Sequence, residues 1–109
     1  MAYRVMWTKS AKHQRKEALL YGAKVWGNDA ARKFRNQLIK EQSLLSAHPN
    51  MGKTEPLLET FTKNYRSLVV HKHFKLVYYI DERQQTLFIV ALWDTRREPG
   101  AMSQSIRDK

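Results

Sequence analysis

The sequence predicts an α+β fold, a two-layer sandwich in which a helix hairpin packs on a mainly antiparallel sheet in the order β-α-α-β-β-β. Three observations carry that expectation. Residues 65–99, YRSLVVHKHFKLVYYIDERQQTLFIVALWDTRREP, hold three short apolar, β-branched and aromatic runs parted by two polar breaks, which is the pattern of a three-stranded meander. Residues 11–45 place apolar side chains every three to four positions, interrupted once at Gly27. A short alternating segment, YRVMW, opens the chain.

In that opening segment Tyr3, Val5 and Trp7 fall on one face of a strand and Arg4 and Met6 on the other. Thr8 or Ser10 can cap the helix that follows, which runs to about Trp26 without proline and sets Ala11, Gln14, Ala18 and Val25 at helical spacing. Gly27 stops it, because glycine accepts the left-handed backbone that ends helices, and Asn28 or Asp29 starts the next. In the second helix Phe34, Leu38 and Leu45 form the apolar stripe, while Arg32, Lys33, Arg35 and Lys40 fall largely elsewhere. The short connection predicts an antiparallel hairpin.

His48, Pro49 and Gly52 break the second helix. Residues 53–64 read as a polar link in which Leu57, Leu58 and Phe61 form either one helical turn or an anchored loop. In FKLVYYID, Phe74, Leu76, Tyr78 and Ile80 alternate with Lys75, Val77, Tyr79 and Asp81, so the first set is expected to face the helices. Residues 86–93 are so continuously apolar that they belong inside the sheet. The tail after Pro99 is short and polar and is expected to fray.

Twenty Lys and Arg against ten Asp and Glu give a net charge of +10 in 109 residues, so the expected partner is anionic. The front half, to residue 48, holds +7 of it. With no cysteine, thiolate metal sites, disulfides and cysteine nucleophiles are excluded. There is no secretion signal, and no apolar run approaches the ~20 residues of a bilayer span, so a cytoplasmic protein with no membrane partner is expected. His13, His48, His71 and His73 lack metal-ligand spacing, and there is no phosphate-cradling glycine loop or GxSxG elbow. No metal and no small-molecule cofactor is therefore called for.

The candidate chemistry lies at the borders of the meander. With the helices on one sheet face, Arg66, Lys75 and Tyr79 are expected on the other, with His71, Lys72 and His73 at an edge and Asp94, Arg96 and Arg97 behind the last strand. Such cations can bind phosphate and stabilise a pentacoordinate phosphoryl transition state, and histidine or tyrosine can transfer the proton. That set would allow metal-independent RNA cleavage by a 2′-hydroxyl. Solvated turn residues and a salt bridge between Asp94 and a following arginine are the plain alternatives.

The order of elements, the helix break HPNMGK, the segment YRSLVVHKHFKLVYYID and the strand exit IVALWDTRREP together resemble the RelE/ParE superfamily of bacterial type II toxins, over residues 3–99. The resemblance implies one RelE/ParE-like toxin domain spanning residues 1–109, with the small microbial ribonuclease-like sandwich and a cognate acidic antitoxin. RelE-like members cut messenger RNA on the ribosome; ParE-like members block DNA gyrase. Cleaving members place basic residues at positions that fall on Arg66, Lys75 and Arg97, and commonly a tyrosine or histidine beyond the last strand. Here neither follows Trp93, so His71, His73 or Tyr79 would have to move the proton. Lys72, Asp94 and Arg96 are expected RNA or target contacts. The expectation is a toxin acting by ribosome-dependent mRNA cleavage, a metal-independent endoribonuclease; the alternative is a gyrase inhibitor with no catalytic group.

Overall fold

A computed structural model describes residues 2–106. Strand β1 (Arg4–Trp7) leads to helices α1 (Lys9–Val25) and α2 (Asn28–Ala47). A two-residue strand β2 (Lys53–Thr54) and a 3-10 turn (Pro56–Leu58) precede β3 (Arg66–His71), β4 (Phe74–Asp81) and β5 (Thr86–Asp94), and a short helix α3 (Gly100–Ser105) closes the order. The sheet runs β1-β5-β4-β3-β2, with β1 parallel to β5 and every other pair antiparallel. The α+β sandwich with a helix hairpin on a mainly antiparallel sheet is thus present. No helix among the described residues is long and apolar enough to cross a membrane.

Each start and stop has a local cause. Thr8 caps α1, its Oγ1 accepting from the Ala11 amide at 3.2 Å. Gly27, with φ at +96°, makes the turn into α2. Ala11, Ala18, Phe34, Leu38 and Leu45 are buried from the hairpin against Trp7, Val70, Phe74, Leu76, Tyr78, Leu87, Ile89 and Leu92 from the sheet. A fully buried leucine or phenylalanine contributes about 1.5–3 kcal/mol, so this layer dominates stability. Past the end of β1, Gln14 of α1 takes the Leu92 amide on its Oε1 at 3.0 Å and so ties hairpin to sheet.

Three differences from the sequence reading matter for function. The link after α2 is both a strand and a turn: Lys53 pairs with Ser67 and Thr54 with Arg66, and Glu55 caps the 3-10 turn by accepting the Leu57 amide at 2.8 Å. The tail does not fray over the described residues, because Met102 and Ile106 of the α3 region are buried with Leu58, Tyr65, Val77, Ala91 and Trp93 in a second cluster on the opposite sheet face. Residues 107–109 lie outside the described residues. That face is therefore a small core and not the open cation-lined surface expected from the alternation.

The third difference is a bulge. Val77 pairs with Ala91 and Tyr78 with Ile89, leaving Val90 as an extra residue in β5. Leu87 and Ile89 consequently face the hairpin, as does Leu92, while Ala91 and Trp93 turn to the second cluster. A strand apolar on both faces in this way gives the continuous run seen in the sequence.

Candidate functional site

The residues singled out by the sequence separate into three groups. Arg66 pairs with Tyr78 across β3 and β4, which puts it on the hairpin side of the sheet and corrects the expectation that it shares a face with Lys75. Its Nη1 donates to the carbonyls of Gly52 at 2.6 Å and Asn50 at 3.4 Å. Tyr78 holds the same loop: its hydroxyl accepts from the Gly52 amide at 2.9 Å and donates to the Pro49 carbonyl at 2.7 Å. Burial pushes the Tyr78 phenol up, so it remains a neutral strut. A side chain at Gly52 would meet that hydroxyl at 2.6 Å, which explains a glycine at this contact.

Lys75 points the other way, and its Nζ lies 2.5 Å from Oε1 of Glu55, whose residue is wholly buried. Burial would raise the Glu55 carboxyl, but hydrogen bonds from Lys75, the Leu57 amide and Ser67 outweigh it and hold the group below the usual carboxylate value. Lys75 is therefore committed to Glu55, a partner twenty positions away in the chain. Trp93 sits opposite Lys75 in the ladder, and the Arg97 guanidinium lies 4.5 Å above the Trp93 ring. Lys75 and Arg97 thus share a neighbour, whereas Arg66 lies across the sheet and three residues along β4, about 10 Å away.

Tyr79 is four residues from Lys75 on β4, stacked on Phe88 with ring centroids 5.3 Å apart and edge-on to Tyr65 at 5.7 Å. Burial, and then the charge of Asp81, push its phenol up, away from the range of a base at neutral pH.

The third group gathers where the β3–β4 turn meets the exit of β5. His71 stacks on Trp26 at 4.5 Å and touches Phe34 at 5.1 Å, and its Nδ1 accepts the His73 amide at 3.2 Å. Burial lowers its pKa, and the charges of His73, Arg96 and Lys72 add to that, so His71 is a neutral packing residue at physiological pH. Lys72 is exposed at the turn. Arg96 donates to both carboxylate oxygens of Asp94, at 3.0 and 2.9 Å, and lies 5.5 Å over the Tyr21 ring of α1. Hydrogen bonds from Arg96 hold Asp94 below its ordinary value. The salt bridge expected of Asp94 is thus present and goes to Arg96, while Arg97, exposed like Arg96, lies over Trp93.

Phosphoryl transfer needs its cations and its proton carrier within hydrogen-bond reach of one phosphate. Arg66 and Lys75 are on opposite faces, His71 is packed against Trp26 and Tyr79 is packed against Phe88. The sequence reading missed Glu55, Tyr21, Trp26 and Gln14 as organising residues; each contacts its partner across more than 15 positions, and no local pattern signals that. Glu55 came nearest to visibility, as an acidic residue before Pro56 at a turn start.

The sequence profile described as the ParE toxin of the type II toxin-antitoxin system, parDE, matches residues 5–99. No curated protein matches in sequence. Among solved structures, a chain of the chromosomal ParDE toxin-antitoxin system of P. aeruginosa superposes with a TM-score of 0.67 at 15% identity, covering 85% of this chain and 96% of that one. The archaeal RelE-RelB complex from Pyrococcus horikoshii gives 0.58 at 15% identity, over 90% and 100% of the two chains. A metal-bound toxin from Helicobacter pylori gives 0.51 at 24% identity, over 86% and 96%. These likenesses establish the shared fold, and the profile spans the chain from β1 to the exit of β5. The chain belongs to the ParE toxin family of type II toxin-antitoxin systems.

Proposed function

We propose that this toxin acts by binding and inhibiting DNA gyrase, and that an antitoxin partner silences it. The observation that carries the reading is the dispersal of the candidate catalytic groups: Arg66 is held by loop carbonyls, Lys75 by Glu55, Arg96 by Asp94 and His71 by Trp26. A toxin that needs no bond-making group is compatible with that arrangement; a nuclease needs the same residues free and convergent. The family profile supports the same choice, since blocking gyrase is what the resemblance to ParE-like members implies. The similar structures from P. aeruginosa and Pyrococcus horikoshii belong to systems that pair a toxin with a second protein, which supports an antitoxin here.

On this reading the contact surface centres on Arg97 and the exposed lysines and arginines of the hairpin, where a rigid β5 exit is braced to α1 through Arg96 and Tyr21. Two assays separate the readings. Purified toxin added to gyrase, ATP and relaxed plasmid is expected to block supercoiling or accumulate cleaved DNA; added to ribosomes translating a defined message, it is expected to leave the message intact. Codon-spaced cleavage of the message with unimpaired supercoiling would return the function to ribosome-dependent mRNA cleavage.

A further inference from the structure

Between α1 and α2 runs a seam with a groove of about 290 Å³, lined by Trp7, Arg15, Leu19, Arg35, Ile39 and Gln42 among others. Trp7 reaches it from the end of β1, its Nε1 donating to Gln42 Oε1 at 2.9 Å, and the Arg15 guanidinium lies 4.5 Å from the centre of its ring. Arg15 is thus held in place by an aromatic surface and needs no carboxylate to fix it. Lys12, three positions before it, and Lys16, one after, are exposed on the same helix. The hairpin turns at Gly27, so Arg35, eight residues past the turn, stands level with Leu19, eight before it. At a rise of 1.5 Å per residue, Lys12, Arg15, Lys16 and Arg35 form a row about 10 Å long.

None of these four cations meets a carboxylate among the described residues, where the ion pairs of the hairpin are His13 with Glu17 and Arg32 with Asp29. The acids are kept off the seam. Glu17 follows Arg15 by two positions and Glu41 follows Ile39 by two, which turns each about 200° around its helix. Glu41 is in turn engaged by the Gln37 amide at 2.6 Å. Lys12, Lys16 and Arg35 are exposed and add little to the core, while four uncompensated cations in one row repel one another in the free protein. Such a row is answered by a polyanion with charges at fixed spacing.

We infer that the α1–α2 seam, through Lys12, Arg15, Lys16 and Arg35, grips the phosphate backbone of duplex DNA, the segment that gyrase holds when the toxin binds. The inference rests on the gyrase reading and deepens it: Arg97 at the β5 exit meets the enzyme, and the hairpin meets the enzyme's DNA. A duplex carries about one charge per 1.7 Å of axis, so a row of about 10 Å faces about six phosphates, enough for all four cations. Backbone contacts carry no sequence information, so no base preference is expected. An anionic membrane offers the same charge but needs a continuous apolar face on the helix that meets it. The exposed aliphatic residues here, Leu20 with Val25 and Ile39 with Leu44, stand five positions apart, about 140° around each helix, and Trp7 is buried.

The test is fluorescence anisotropy of a labelled DNA duplex of about 20 base pairs, titrated with purified toxin at salt between about 0.05 and 0.2 M, beside supercoiling titrations of gyrase. Four phosphate contacts give a slope of log K against log salt of about −3.6. Lys12→Gln and Arg35→Gln are each expected to make the slope shallower by about 0.9 and to weaken binding about fivefold near 0.15 M salt, with thermal unfolding near wild type. Arg83→Gln, which removes the same charge from the exposed β4–β5 turn, is expected to leave the slope as it is. A slope unchanged in both hairpin variants, or lowered equally by Arg83→Gln, overturns the seam as the site. Tighter binding to an RNA duplex of the same sequence, or to phosphatidylglycerol vesicles, overturns the assignment to DNA. Gyrase inhibition by a toxin that binds no duplex overturns the inference and leaves the gyrase reading standing. The expected slopes with no effect on gyrase keep the seam as a DNA site and remove the gyrase reading.

Discussion

Glu55 and Lys75 set the strongest residue-level expectation. Lys75→Ala leaves a wholly buried carboxylate without its cation, and breaking such a pair costs about 3–5 kcal/mol, so urea unfolding of this variant is expected to shift by several kcal/mol. A loss of toxicity in Lys75→Ala would then report folding as much as function, whereas Arg97→Ala removes an exposed cation over Trp93 worth about 0.5–1 kcal/mol and should leave stability nearly intact. Arg97→Ala is expected to lower gyrase inhibition at least about tenfold with antitoxin binding unchanged, measured by supercoiling titration and calorimetry. The same pair sets a pH dependence. The folded pKa of Glu55 is depressed below its unfolded value of about 4.3, so its contribution is present above that pH and is lost as pH falls through the lower folded value. Stability should therefore decline on acidification below about pH 4–5, and Glu55→Gln should flatten that slope.

At the scale of elements, the loop between α2 and β2 and the terminal helix carry the most informative tests. Gly52→Ala would drive a methyl into the Tyr78 hydroxyl and to 2.8 Å from the Ser67 carbonyl, and is expected to destabilise by about 1–3 kcal/mol in denaturant unfolding. Met102→Ala empties a fully buried site beneath α3 and should cost about 2–5 kcal/mol, with new dye-binding apolar surface at Trp93. The helices were legible because their periodicity and breaks are local: Thr8, Gly27 and Pro49 mark ends that the structure keeps within a residue or two. The long strands were legible for the same reason. Two things were not. β2 has two residues and owes its existence to β3, and α3 reads as polar because its inward side is carried by Met102 and Ile106 with Ala101 partly buried beside them.

Across the whole molecule, the sequence carried the layers and the charge but not the convergence of side chains. Arg66 alternates correctly with its neighbours, yet which face that alternation selects depends on the ladder to Tyr78, a long-range register. The bulges at Val70 and Val90 shift parity within β3 and β5, and a strict period of two does not anticipate them. A +10 protein with its free cations on the hairpin and at the β5 exit should associate with acidic partners at rates that fall steeply with salt.

The extra residue at Val90 links the two layers in a way that bears on how this chain tolerates insertion and loss. Because Val90 is the unpaired residue of the ladder, deleting it alone would restore uniform alternation while Val77 keeps Ala91 and Lys75 keeps Trp93 as partners, so Trp93 and the Arg97 exit would stay on the face they now occupy. A chain lacking Val90 is therefore expected to keep its fold and its toxicity together, measured by thermal unfolding and growth arrest side by side.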